Sequence, residues 1–194
     1  MSSETAFEKR ELRRNLRAFL KTLPDSEVGA ASLRACALLR QQSVWKNARA
    51  VLFYAAFAGE IDLSPLLDEG LRAGKAIALP RFVRETGDYL AFQIRHATDD
   101  CAPGMFGITE PTAQCALFPL KRLDLVLVPG VGFDTAGGRL GRGQGFYDRL
   151  LAQITGTKCG VAFDPQLVEK IPREQHDVLM NFILTPTRWL EISE

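Results

Sequence analysis

Two arginines set among glycines are the first chemistry the sequence offers. In LVLVPGVGFDTAGGRLGRGQGFYDRLL, residues 125–151, Arg139 and Arg142 stand among Gly132, Gly137, Gly138, Gly141, Gly143 and Gly145. Six glycines in fourteen residues exceed what one turn uses, because a turn needs one or two positive-φ positions. Bare amides with guanidinium forks beside them suit a concave surface for a polyanion such as a phosphate chain. Neither standard phosphate motif is complete. Gly138 to Gly143 has P-loop spacing, but Gln144 and Gly145 stand where a lysine and a hydroxyl residue belong. Gly141-Arg142-Gly143-Gln144-Gly145-Phe146 breaks the dinucleotide fingerprint at its last position and lies late in the chain. A loop without function is the competing reading, and the glycine-flanked arginines favour a ligand.

Other candidates lie elsewhere. Lys9, Arg13 and Arg17 are four apart and share one face of a helix, either as solvated charge or as an anion site. Glu60 falls where a strand ends, a position open to a polar loop role or to ligand contact. Asp148 falls in the first turn of a helix, where an acid is favourable without any function. Phe106, in a loop, is a pocket wall or simple packing. Cys36, Cys101, Cys115 and Cys159 are scattered and form no CxxC, and the histidines are two, so neither a zinc site nor a disulfide framework is expected. A net charge of +1 by itself argues neither for nor against nucleic acid. The polar N-terminus and the absence of a long apolar run point to a cytoplasmic chain with no membrane attachment.

The elements that must position these residues follow from periodicity. Residues 5–23 read as a helix stopped by Pro24, and a second helix runs to about Gln42. Residues 49–57 read as a buried strand, a helix capped by Asp62 or Ser64 runs through Ala73 and is closed by Gly74, and residues 75–82 read as a second strand. This βαβ unit implies a parallel pair, whose ligands gather beyond the strands' carboxyl ends. Residues 89–95 alternate as an antiparallel or edge strand, and residues 99–115 read as loop. Residues 123–128 form the central strand feeding the glycines. A helix over 145–154 and strands at 159–163 and 182–185 follow. The expectation is one domain, residues 1–194, a three-layer αβα sandwich with a mostly parallel, Rossmann-like sheet.

The stretch from Pro129 to Asp134 and from Gly138 to Asp148 resembles the signature of the 5-formyltetrahydrofolate cyclo-ligase family. Lys9-Arg10-Glu11-Leu12-Arg13, Gly59-Glu60-Ile61-Asp62, Leu79-Pro80-Arg81, Gly107-Ile108-Thr109-Glu110-Pro111 and Glu174-Gln175-His176-Asp177 follow in the family's order, so the resemblance runs nearly end to end. It implies an enzyme that converts 5-formyltetrahydrofolate to 5,10-methenyltetrahydrofolate with ATP and Mg2+, through phosphorylation of the formyl oxygen. It implies that Lys9, Arg13, Arg139, Leu140, Gly141, Arg142, Gly143, Gln144, Gly145, Phe146 and Tyr147 bind ATP. Arg142 and Tyr147 would be catalytic. Glu60, Phe106, Arg142 and Phe146 would hold the folate, and Asp148 and Asn181 the metal.

This chain departs from the family at three of these places: Gln144 stands where many members have Lys, Asn181 where Asp is frequent, and Phe146 where Tyr is frequent. No nucleic acid and no obligate protein partner are implied. A non-catalytic nucleotide- or phosphate-binding module on the same sheet is the first alternative. A nucleic-acid binder using the basic helix is the second.

Overall fold

A computed structural model describes residues 3–104, 107–174 and 177–193. Three helices open the chain: α1 (Ser3–Leu20), α2 (Asp25–Gln41) and α3 (Ser43–Asn47). Pro24 separates the first two, as its missing N–H and fixed φ dictate. Strand β1 (Ala50–Leu52), helix α4 (Ser64–Arg72) and strand β2 (Ala76–Val83) form the expected parallel βαβ unit. β3 (Asp88–Ile94) returns antiparallel on β2 at the sheet edge. A small hairpin, β4 (Cys101–Pro103) and β5 (Thr109–Pro111), occupies the segment expected to be loop.

β6 (Leu125–Pro129) then runs through the centre of the sheet. It is followed by β7 (Gly132–Asp134), β8 (Arg139–Leu140) and α5 (Phe146–Leu151). β9 (Thr157–Val161), β10 (Leu167–Val168), β11 (Phe182–Leu184) and β12 (Trp189–Glu191) complete the chain.

The main sheet has seven strands in the order β12-β11-β9-β6-β1-β2-β3. The inner five pair parallel, and an antiparallel strand closes each edge. Alternation along each strand divides the core in two. Val51, Ile77, Leu125, Leu127, Cys159 and Leu184 face α2, α3 and α4. Leu52, Ala78, Val126, Val128 and Ile183 face α5 and Phe133. The layers are as expected for an α/β sandwich, except that β10-β7-β8, a three-stranded sheet, covers part of the second face. α1 lies on that small sheet through Leu16, packed with Val131, Leu140 and Ile171.

β1 is shorter than the expected 49–57. Phe53 still donates to Ala78 O at 2.9 Å, but the chain then leaves the sheet, and Tyr54, Ala55 and Phe57 line a cavity instead. Among the described residues no helix is long and apolar enough to cross a membrane.

Candidate active site

The parallel strands end together around a cavity of about 300 Å³. Its walls come from the chain after β1, from β2 and β3, from β5, and from the glycine stretch between Pro129 and Asp148. This is where open α/β sheets place ligands.

The basic face of α1 is turned onto this stretch, one residue per turn. Lys9, 7% exposed, bonds Asp177 at 2.8 Å and Glu174 at 3.2 Å through its ammonium. Arg13 Nε donates to Gly141 O at 2.8 Å, and Arg17 Nη2 donates to Arg142 O at 3.1 Å. Burial first, and the neighbouring charge of Arg17 next, hold the Arg13 guanidinium below its ordinary value. Lys9 and Arg13 are therefore spent on the segment around Glu174 and on the glycine loop, while Arg17 stays exposed.

Arg139 leaves β8 pointing back beneath the loop. Its Nη2 bonds Asp148 Oδ1 at 2.8 Å, and its Nη1 reaches Pro129 O at 3.3 Å. Its Nε is buried without a hydrogen-bond partner among the described residues. Leu140, by contrast, packs its side chain into the core with Leu16, and its carbonyl accepts from Val131 N at 2.7 Å. It anchors the loop and has no side-chain access to the cavity.

Gly143 (φ 107°) and Gly145 (φ 68°) hold the left-handed backbone that turns the loop into α5. Arg142 lies between this turn and β1. Its Nη2 bonds Glu60 Oε1 at 2.6 Å, and its guanidinium stands 4.7 Å from the Phe57 ring centroid. Glu60 Oε2 accepts from Phe57 N at 3.0 Å, so the carboxylate is fixed to its own turn. Gln144 is exposed, and its carbonyl accepts from Arg149 Nη1 at 3.4 Å.

Aromatic rings make the opposite wall. Phe146 meets Phe82 at 5.2 Å and Tyr89 at 5.6 Å, both edge to face, and Tyr147 lies 5.9 Å from Tyr89. Burial, and after it the Glu60 charge, push the Tyr54 and Tyr147 phenols up. Both stay protonated at neutral pH and can donate, not abstract, a proton. Arg149, stacked 5.1 Å from the Phe146 centroid and bonded to Asp88 at 2.6 Å, ties α5 to β3.

The fold thus brings Lys9, Arg13, Glu60, Arg139, Arg142, Gln144, Phe146, Tyr147 and Asp148 to one end of the sheet. It does not bring Asn181 there. Asn181 Oδ1 accepts from Lys158 N at 2.9 Å, at the amino ends of β9 and β11, and parallel strands keep those ends opposite the cavity. Phe106 lies outside the described residues. Tyr54, Tyr89 and Glu110 line the cavity without having been singled out as site residues. Glu110, buried on β5, carried a signal only as part of the Gly107–Pro111 motif. Tyr54 and Tyr89 carried none, since a strand aromatic reads as core.

The 5-formyltetrahydrofolate cyclo-ligase family model matches residues 5–186. The chain belongs to this family. It is an enzyme, a ligase. It is 37% identical over 145 residues to the 5-formyltetrahydrofolate cyclo-ligase of Escherichia coli K12, covering 73% of this chain and 80% of that one. It is 34% identical over 180 residues to the Haemophilus influenzae enzyme of the same name, with 90% and 92% covered. The cyclo-ligase architecture is also that of the NMR structure of Aquifex aeolicus 5,10-methenyltetrahydrofolate synthetase. That match has a TM-score of 0.86 at 31% identity and covers 96% of this chain and 93% of that one. A Mycoplasma pneumoniae 5,10-methenyltetrahydrofolate synthetase shares the fold, with a TM-score of 0.73 at 20% identity.

Proposed function

We propose that this cyclo-ligase closes 5-formyltetrahydrofolate to 5,10-methenyltetrahydrofolate while ATP is cleaved to ADP and phosphate. The observation that carries this reading is the convergence of Glu60 and the glycine loop, to which α1's Arg13 is bonded, on one cavity at the carboxyl ends of the strands.

The formyl oxygen attacks the γ-phosphorus, and ADP leaves. N10 then attacks the activated carbon, the C–O bond to phosphate breaks, the N10 proton leaves with the departing phosphate, and the bridge between N5 and N10 is complete. No step needs a nucleophilic side chain; the protein supplies position and charge. Arg13, Arg139 and the loop amides hold the nucleotide phosphates, with Lys9 one helical turn away. Glu60 accepts from the amino and ring N–H donors of the pterin. In doing so it gives up Arg142, whose released guanidinium meets the charge spread over the transferring phosphoryl oxygens. Tyr147 donates its phenolic hydrogen at the same place. Phe146 gives the pterin an apolar wall.

Mg2+ fits this site as a companion of the nucleotide. Among the described residues no three His, Cys, Asp or Glu side chains converge on a common point. One carboxylate, Asp148, with phosphate oxygens and water, suits an ion that ordinarily takes only one or two protein ligands. When bound it would neutralise phosphate charge. Asn181, at the other end of the sheet, is not part of this proposal.

The test is direct. Purified protein with 5-formyltetrahydrofolate, ATP and magnesium should give the near-ultraviolet absorption of the methenyl product, and omitting ATP should abolish it. Folded protein that gives no product above a no-enzyme control overturns the proposal.

A further inference from the structure

Two segments take no part in the proposed chemistry: Leu79-Pro80-Arg81, on β2, and Gly107-Ile108-Thr109-Glu110-Pro111, which forms β5. The fold joins them. Arg81 Nη1 donates to Thr112 O at 2.6 Å and to Pro111 O at 3.2 Å. The guanidinium carbon stands 3.7 Å from the Phe92 ring centroid, so a ring on β3 backs the side chain.

Arg81 is half-buried, has no carboxylate partner among the described residues, and is not one of the cavity's walls. A guanidinium in such a place ordinarily meets a carboxylate. Here it serves the backbone at the end of another strand.

What this clamp presents is a wall. Ile108, Thr109 and Glu110 line the main cavity, beside Pro80 and Tyr89. The Glu110 side chain lies against Gly104, where a Cβ would stand 2.5 Å from its Cδ and 2.6 Å from its Cγ. A bare glycine backbone after β4 leaves the acid this room. Burial, and after it the Glu110 charge, holds the Tyr89 phenol above its ordinary value, so the acid faces the aromatic side of the cavity. A carboxylate there repels a phosphate chain and suits a ring that carries N–H donors.

We propose that Arg81 is a positioning residue for folate binding: by clamping the end of β5 it fixes Glu110 in the wall against which the pterin rests. The inference rests on the folate reading above, and its test does not depend on turnover.

Calorimetric titration of the full-length protein with 5-formyltetrahydrofolate and with ATP decides it. Arg81→Met keeps an apolar stem over Phe92 and removes both hydrogen bonds. It should bind the folate about tenfold more weakly, and ATP within about twofold of the wild type. Arg81→Lys should recover folate binding to within about threefold of the wild type, because one ammonium can serve both carbonyls. If Arg81→Met does not fold, Arg81→Gln, which keeps one amide donor, takes its place with an expected loss of about fivefold.

Gly104→Ala reaches the same acid from the other side. The Gly104 φ lies outside the left-handed region, so alanine fits the backbone, and only the far end of a side chain has to move. This variant should bind folate about fivefold more weakly and ATP as the wild type does. The double variant should lose no more than Arg81→Met, because both changes act on Glu110.

Equal losses for folate and ATP, an unchanged folate affinity in either single variant, or losses that add in the double variant each overturn the positioning role. Wild-type protein that binds no folate overturns it together with the proposed reaction. The expected binding pattern without methenyl product overturns the reaction alone and leaves the role of Arg81 standing.

Discussion

Arg139 on the cavity floor and Arg142 on its rim are three residues apart, yet the side chain of the first is 4% exposed and that of the second 50%. Arg139 is held from several sides: a carboxylate on α5, a carbonyl at the end of β6, and the Tyr147 ring 5.6 Å from its guanidinium carbon. Arg142 has one acid, Glu60, and one ring, Phe57, both on the turn after β1. The floor is prearranged, so it can meet charge without reorganising. The rim can exchange partners, because a half-exposed ion pair costs little to part. A ligand that claims Glu60 changes the rim and leaves the floor alone. Two guanidiniums from one loop therefore differ in freedom: one is held from several sides, and the other, under the proposed mechanism, would respond to occupancy.

Removing the floor arginine is the strongest way to break this contrast. Arg139→Ala leaves Asp148 without its partner and opens a void beneath the loop. It should cost about 3 kcal/mol of stability, the lower end for parting a buried pair because Asp148 keeps some access to water. A urea unfolding curve reads this as a lower midpoint; an unchanged midpoint would mean that the floor is not structural.

Arg142→Ala should show the reverse. Stability should stay within about 0.5 kcal/mol of the wild type. The ratio kcat/KM should fall at least about a hundredfold, as expected for losing an electrostatic contribution near 3 kcal/mol in the transition state. A fall of less than threefold would return Arg142 to ordinary surface charge.

Glu60→Gln tests the partner exchange. Losing a charge-assisted acceptor costs about 1.5–3 kcal/mol. The KM for folate should rise roughly tenfold to a hundredfold while the KM for ATP holds. Equal changes in both would mean that Glu60 acts only by holding Arg142.

The smallest effect belongs to Gln144→Lys. An ammonium on the exposed loop should attract ATP in ground and transition states alike, lowering its KM by about 1 kcal/mol with little gain in kcat. The effect should shrink with salt. A tenfold rise in kcat would show that a cation at this position is catalytic, and an unchanged KM would turn side chain 144 away from the phosphates.

The sequence made some of this architecture readable and hid the rest for physical reasons. The βαβ unit, the central place of β6 and the edge place of β3 followed from apolar runs of strand length, which burial in a sheet enforces. The small sheet was invisible, because strands of two or three residues are too short to show a period. The glycine stretch was read as a single cradle, and it is two structures. Gly137 and Gly138 serve the β7–β8 turn, where Gly138 N donates to Asp134 Oδ1 at 2.7 Å, while Gly141, Gly143 and Gly145 form the loop by the cavity. Spacing cannot tell a glycine that admits a carboxylate of its own chain from one that admits a ligand. The basic face of α1 was legible as a face, but its partners were not. Nothing local shows that Lys9 lies against Glu174 and Asp177, more than 160 residues away. Asn181 shows the same limit in the other direction: family order along the chain does not say at which end of the sheet a residue lies.

Asp134 has a consequence for how the molecule is made. Its Oδ1 accepts from Ala136 and Gly138 within the hairpin, and its Oδ2 accepts from Ile171 N at 2.8 Å, far along the chain. Lys9 waits longer still for its acids. A chain growing from its N-terminus therefore presents α1 and the glycine loop well before the segment that fixes both has been synthesised. Contacts of such long sequence separation close slowly, because the loop entropy is lost before the contact returns anything. A ribosome-bound chain halted after β9 would hold the sheet's centre and every loop glycine, but not the fastening at Ile171.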